Sequence, residues 1–305
     1  MDILDLFSLQ GILFALMLVG TGLKICGIID ENGKKCLTDL CVNVVIPCNI
    51  FKSCLIKFNM SIFKSCAMLL VSAVLMQLIC LLLNKFIFNH YNPQRKKVLQ
   101  YCTIVPMSGF LGNPIAEGIY NELGVLYTSI FLIPMRIVMW SAGTTYFVAD
   151  MEINRKKIIK NVLTHPCLVA IYFGLFFMVT QIQLPFILTE TTRYIGNCNS
   201  ALTMFIVGTI LADVKITSII SKETIKFSIF RLIILPAIAF GIGSFLHLES
   251  ISQGISVIMT GMPAGATAAI FAARYHSDAD FATRCVVLTT LLSMLTLPLW
   301  CFIAG

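Results

Sequence analysis

Ten apolar runs, each close to the roughly 20 residues that an α-helix needs to cross a bilayer, fill almost the whole of this 305-residue chain. They fall at about 7–25, 37–56, 63–84, 98–119, 124–148, 159–180, 194–213, 225–246, 252–274 and 281–303. In hydrocarbon every backbone N–H and C=O must be bonded within its own segment or to buried protein. The fold class this predicts is an all-α polytopic membrane protein with ten transmembrane helices. Only 12% of the residues are charged and mean hydropathy is +0.89, which leaves little room for a soluble domain. The opening Met1-Asp-Ile-Leu-Asp carries acids where a secretory leader carries bases, so the first run is expected to be kept as a helix.

The net charge of +7 does not point to nucleic acid, because the Lys and Arg residues sit in short gaps between apolar runs. With the N-terminus outside, fifteen of them are assigned to cytoplasmic gaps and the run ends beside them (among them Lys34, Lys35, Arg95–Lys97 and Arg155–Lys157), four to the gaps and run ends of the other side, and three to the runs themselves. Both termini are therefore expected on the extracytoplasmic side. The twelve cysteines form no C-x-x-C pair and only four histidines are present, so neither a disulfide framework nor a zinc site is expected. No metal or organic cofactor is expected. Nor do the residues offer a nucleophile–base arrangement of the kind an intramembrane enzyme needs.

Two runs are interrupted. Pro106, Gly109, Gly112 and Pro114 stand within nine positions of the fourth, and Gly261-Met-Pro-Ala-Gly-Ala-Thr267 breaks the ninth. Proline lacks the N–H that continues a helix and clashes with the preceding turn, so both helices are expected to break at membrane depth. The acidic and basic stretch 150–160 divides the chain into residues 1–150 and 151–305, with five runs each. An odd number of crossings per half makes the second half inverted relative to the first, and paired interruptions in such halves point to a transporter binding site. A further break is expected at Val45-Ile-Pro-Cys-Asn49, whose counterpart in the second half, Gly196–Thr203 of the seventh run, is polar and not broken by proline.

Freed amides at the second half of a broken helix carry a partial positive charge and suit an anion, while carbonyl ends of the first half suit Na⁺. Arg136, near the middle of the fifth run, is costly in a membrane and is expected to face the interior. Three roles fit it: a countercharge for substrate, a support for a crossover half-helix, or a tie to Glu117 or to carbonyl oxygens. Arg231 is expected to snorkel from the cytoplasmic end of the eighth run, and Arg284 to pair locally with Asp278 or Asp280. Asp213 is expected to cap or pair, and His165 to pack.

Several motifs occur in a familiar order: Pro106-Met-Ser-Gly-Phe-Leu-Gly-Asn-Pro-Ile115, Met262-Pro-Ala-Gly265, Ala272-Ala-Arg-Tyr275 and Thr289-Thr-Leu-Leu-Ser-Met-Leu-Thr-Leu-Pro298, with weaker matches at Trp140–Gly143 and Phe205–Gly208. Together they resemble the auxin efflux carrier family, whose bacterial members include malate permeases. The resemblance implies an inverted-repeat fold in the plasma (inner) membrane. In it, runs 1, 2, 6 and 7 form a scaffold that makes homodimer contacts, and runs 3–5 and 8–10 form a moving domain. It implies carriage of a small organic anion by an elevator-type motion, bound where runs four and nine cross. The substrate-binding residues expected are Pro106, Met107, Ser108, Asn113, Pro114, Met262, Pro263, Ala264, Gly265 and Thr267, with Arg136, Pro47 and Asn49 beside them. The family commonly places Asn directly after the first crossover proline; here Met107 stands there, and carriage of auxin itself is not expected. The alternatives are a sodium-coupled symporter of the bile-acid type and a cation–proton antiporter of similar build. The missing acid pair speaks against the antiporter.

Overall fold

The computed structural model describes residues 3–57, 59–147, 160, 163–212, 219–275 and 277–304. Among these every regular element is helical, and extended pairing is confined to a bridge between Pro106 and Ala264. Seven helices are long and apolar enough to cross a membrane: α1 (Ile3–Ile25), α2 (Glu31–Cys54), α3 (Met60–Phe86), α5 (Gly112–Val138), α7 (Phe186–Ala212), α8 (Lys222–Phe245) and α11 (Ala279–Ala304). Between them, in chain order, lie α4 (Pro93–Ile104), α6 (Pro166–Thr180), α9 (Ser250–Thr260) and α10 (Thr267–Arg274). The chain thus breaks between α4 and α5 and again between α9 and α10. Within α5 a second bend comes at Asn121, whose φ of 54° ends the first stretch just past Tyr120. Asp213 and the basic stretch 150–157 lie outside the described residues.

Helix α3 shows why these elements suit a bilayer. Leu69, Ala73, Met76 and Cys80 are buried along one face, while Val71, Leu75, Leu78 and Leu82 are exposed on another. A helix apolar all round, with half its surface uncovered by protein, finds its partner in lipid.

Two sets of helices pack within themselves. Helix α1 lies along the second part of α7, and the second part of α2 lies against α6 and the first part of α7; α3, α4, α5 and α8 to α11 surround one another. The α1–α7 contact is a backbone contact. Thr21 Oγ1 donates to Gly208 O at 2.9 Å, and a Cβ on Gly208 would stand 2.0 Å from Met17 O. A Cβ on Gly20 would likewise meet Phe205 O at 2.4 Å, so glycine at both positions sets the helix spacing.

Proline shapes two helices without breaking them. The break expected at Val45–Asn49 is instead a continuous helix with a π turn over Cys41–Val45, in which Ile46 N–H bonds Cys41 O. The wide turn absorbs the clash and the missing donor of Pro47. Helix α8 does the same over Phe230–Ile234 ahead of Pro236. The carbonyl that Pro236 cannot serve, Leu232 O, accepts from the Trp300 indole at 2.8 Å.

At one end, Arg95 ties three helix starts together. It reaches Glu223 at 2.6 Å and Asp278 at 2.9 Å, and its guanidinium lies 5.0 Å from the Phe281 ring centre. Arg284 was expected to pair with Asp278 or Asp280; Asp278 pairs instead with Arg95 at the start of α4.

Replacing Gly208 with Val should lower stability in detergent by about 2–4 kcal/mol, read as a fall in thermal midpoint, because the helix backbones must separate. Gly22→Ala, where a Cβ meets nothing within 4 Å, should be neutral or slightly stabilising.

Candidate functional site

The two interruptions meet. Met107 N–H donates to Pro263 O at 2.8 Å and Gly265 N–H donates to Val105 O at 2.9 Å, closing an antiparallel bridge between Pro106 and Ala264. Gly265 is required there, since a Cβ would stand 2.8 Å from Val105 O. Side chains satisfy much of the remaining backbone. Ala264 N–H donates to Thr289 Oγ1 at 3.1 Å, and Ser108 Oγ donates to Met259 O at 3.0 Å. Arg231, 1% exposed, donates from Nε to Met262 O at 2.9 Å and from Nη1 to Thr103 O at 2.7 Å. Arg231 therefore does not snorkel: the π turn that carries it turns the guanidinium inward onto both broken segments.

The crossing is polar in a definite sense. The carbonyl ends of α4 and α9 lie on the Arg231 side, while neither α5 nor α10 has a side-chain cap at its start. The Tyr101 hydroxyl donates to Oγ1 of Thr267, the first residue of α10, at 2.9 Å. Tyr101 is itself held by edge and tilted contacts with Phe271 and Phe147.

Two cavities flank this crossing and share Met107, Phe110, Ala266 and Thr267 in their walls. The larger, about 530 Å³, extends to Lys34, Asp280 and Arg284. The smaller, about 230 Å³, is mostly apolar (Val42, Ile46, Met135, Met139) and holds Arg136 and His165. Arg136 is 5% exposed and its Nη1 has no hydrogen-bond partner. His165 Nδ1 accepts from Cys167 N–H at 3.3 Å, which leaves Nε2 as the free ring nitrogen. A concave apolar chamber with a desolvated guanidinium and a helix start in its wall can bind a small carboxylate.

Of the residues expected at the site, Pro106, Met107, Gly265, Thr267 and Arg136 line the smaller cavity, together with Gly109, read in the sequence only as a helix breaker, and Val105, Phe110 and Ala266, which were not expected to bind. Pro263 and Ala264 belong to the bridge itself, and Ser108 and Met262 bond beside it, to Met259 and Arg231; all four are buried. Asn113 and Pro114 are buried in the first turn of α5, and neither amide atom of Asn113 has a partner. Pro47 lies in an outer groove with Phe51, Phe173 and Phe177.

Asn49 belongs to a separate polar cluster. Its Nδ2 donates to Glu117 Oε2 at 3.2 Å, and Lys52 Nζ reaches Glu117 Oε1 at 2.9 Å and Asn197 Oδ1 at 3.2 Å. Glu117 thus pairs with Lys52 and not with Arg136. Lys52 and Glu117 both lie inside apolar runs, and two opposite charges at such positions were the signal available in the sequence.

A family model described as "Membrane transport protein" matches residues 11–156 and 149–301. The chain is similar to an uncharacterized transporter of Methanothermobacter thermautotrophicus, 24% identical over 93% of this chain and 94% of that one. It is also similar to uncharacterized transporters of Methanocaldococcus jannaschii (23% identical, covering 95% and 96%) and Escherichia coli (22%, covering 90% of each).

Replacing Lys52 with Met should cost about 1–3 kcal/mol, because the Glu117 carboxylate then faces only Asn49. Adding Glu117→Leu should return part of that loss, and the thermal midpoints of the two single variants and the double variant measure the coupling.

Proposed function

The chain belongs to the auxin efflux carrier family of membrane transport proteins, and from that premise we propose that it is a secondary carrier or facilitator for a small organic anion. The observation that carries the reading is Arg136. Its buried, partly unpaired guanidinium looks into a cavity of about 230 Å³ that also touches the crossing of the broken helices. A carboxylate there meets the Arg136 guanidinium on one side and the uncapped start of α10 on the other. The apolar remainder of the wall suits a carbon skeleton.

Ten crossings arranged as two inverted halves account for the order of the helices, with 93–120 and 250–274 as the broken pair. Helices α1, α2, α6 and α7 form the scaffold, through which two copies pair, and the other helices carry the site. The larger cavity ends at Lys34 and Arg284, next to gaps rich in Lys and Arg. With both termini outside, this form is open toward the cytoplasm. An elevator motion of the site-bearing helices along the scaffold then requires the Lys52–Glu117 pair to part, since it joins α2 to α5.

In proteoliposomes, uptake of labelled mono- and dicarboxylates should be saturable and should respond to membrane potential. Arg136→Gln should weaken apparent affinity about 10- to 100-fold, the loss of one charge-assisted contact. Unchanged uptake by that variant removes Arg136 from the site.

A further inference from the structure

Arg231 is the most deeply buried cation among the described residues, and no carboxylate among them lies within ion-pair distance of it. Its partners are main-chain oxygens of both interrupted helices, Thr103 O just before the end of α4 and Met262 O just past the end of α9. A helix C-terminus carries roughly half a unit of negative charge. Two such ends meeting at one point balance about one positive charge, which the guanidinium supplies. Arginine fits where lysine does not, because its planar fork reaches two carbonyls in fixed directions. The space beside it, about 10 Å³, is bounded by Gln77 and Thr260, and Gln77 Nε2 lies 3.4 Å from a further carbonyl, Ile104 O. That space admits at most one water, and a metal cation placed there would face the guanidinium directly.

Carbonyl ends of broken helices are where carriers of this general build hold a coupling cation. We propose that Arg231 is a tethered cation: its guanidinium fills the carbonyl pole of the crossing, so the anion site on the opposite pole works without bound Na⁺ or K⁺. Arg231 is thus a positioning residue that acts through the backbone of the crossing and touches no substrate. The consequence for coupling rests on the carrier reading, whereas the occupancy of the pole by a fixed charge does not.

The test uses the full chain in detergent, with thermal midpoints taken in choline, sodium and potassium chloride at equal ionic strength. The wild type should give the same midpoint in all three salts. Arg231→Ala should lie about 5–10 °C lower, and low-millimolar guanidinium should raise it saturably, with sodium giving a smaller rise. Arg231→Met, which fills the volume without charge, should stay low and ignore guanidinium. Arg231→Lys should lie between Met and wild type. A saturable sodium- or potassium-dependent rise in the wild type overturns the proposal, as does an Arg231→Met protein as stable as the wild type. If Arg231→Ala does not fold, the order of Lys above Met supports the proposal and the reverse order defeats it. Failure of every carboxylate to be taken up by liposomes would count against the carrier reading alone and leave these midpoints unaffected.

Discussion

A peptide group without a partner costs several kcal/mol in hydrocarbon, and two helices broken at the same depth expose many at once. The chain meets that demand by joining the breaks to each other. The hydrogen bonds of Met107 to Pro263 and of Gly265 to Val105 use backbone that no helix could use, and Ser108, Thr289 and Arg231 take most of what remains. Because the helices cross in this way, their carbonyl ends gather on one side. The start of α10, which has no side-chain cap, is left for the other, in the wall of the cavity that holds Arg136. Satisfying the backbone and creating an electrically polarised site are here one arrangement.

The two sets of helices are held together by contacts of different character. Helices α1 and α7 approach so closely that backbone meets backbone at Gly20 and Gly208, which permits little sliding. Between the sets, the Lys52–Glu117 pair with Asn49 and Asn197 is a polar contact among apolar neighbours. Such a pair contributes modestly while it is made, and its loss leaves charges short of partners. It defines one position of α5 against α2.

Much of this was legible before any coordinates. Pro106, Gly109 and Gly112, and later Pro263 and Gly265, announce backbone that cannot continue a helix, and both interruptions lie there. Arg136 stood out because a charge inside an apolar run has few acceptable surroundings. Arg231 did not, since its place near a run's end suited snorkeling; the π turn over Phe230–Ile234 shifts the helix face, and a helical wheel of fixed period cannot register it. Pro47 misled in the converse way, because a π turn over Cys41–Val45 accommodated it. Lys52 and Glu117, 65 residues apart, find each other only through packing that no local pattern encodes.

The seam between Pro106 and Ala264 is stitched by main-chain atoms. Apart from Gly265, where a Cβ would collide with Val105 O, that stitching makes little demand on which side chains project from it. Met107 contributes its N–H to Pro263 O whatever side chain it bears, and the joint still closes. A carrier assembled on such a seam can exchange its ligand preference one side chain at a time, with the frame that presents the ligand left as it was.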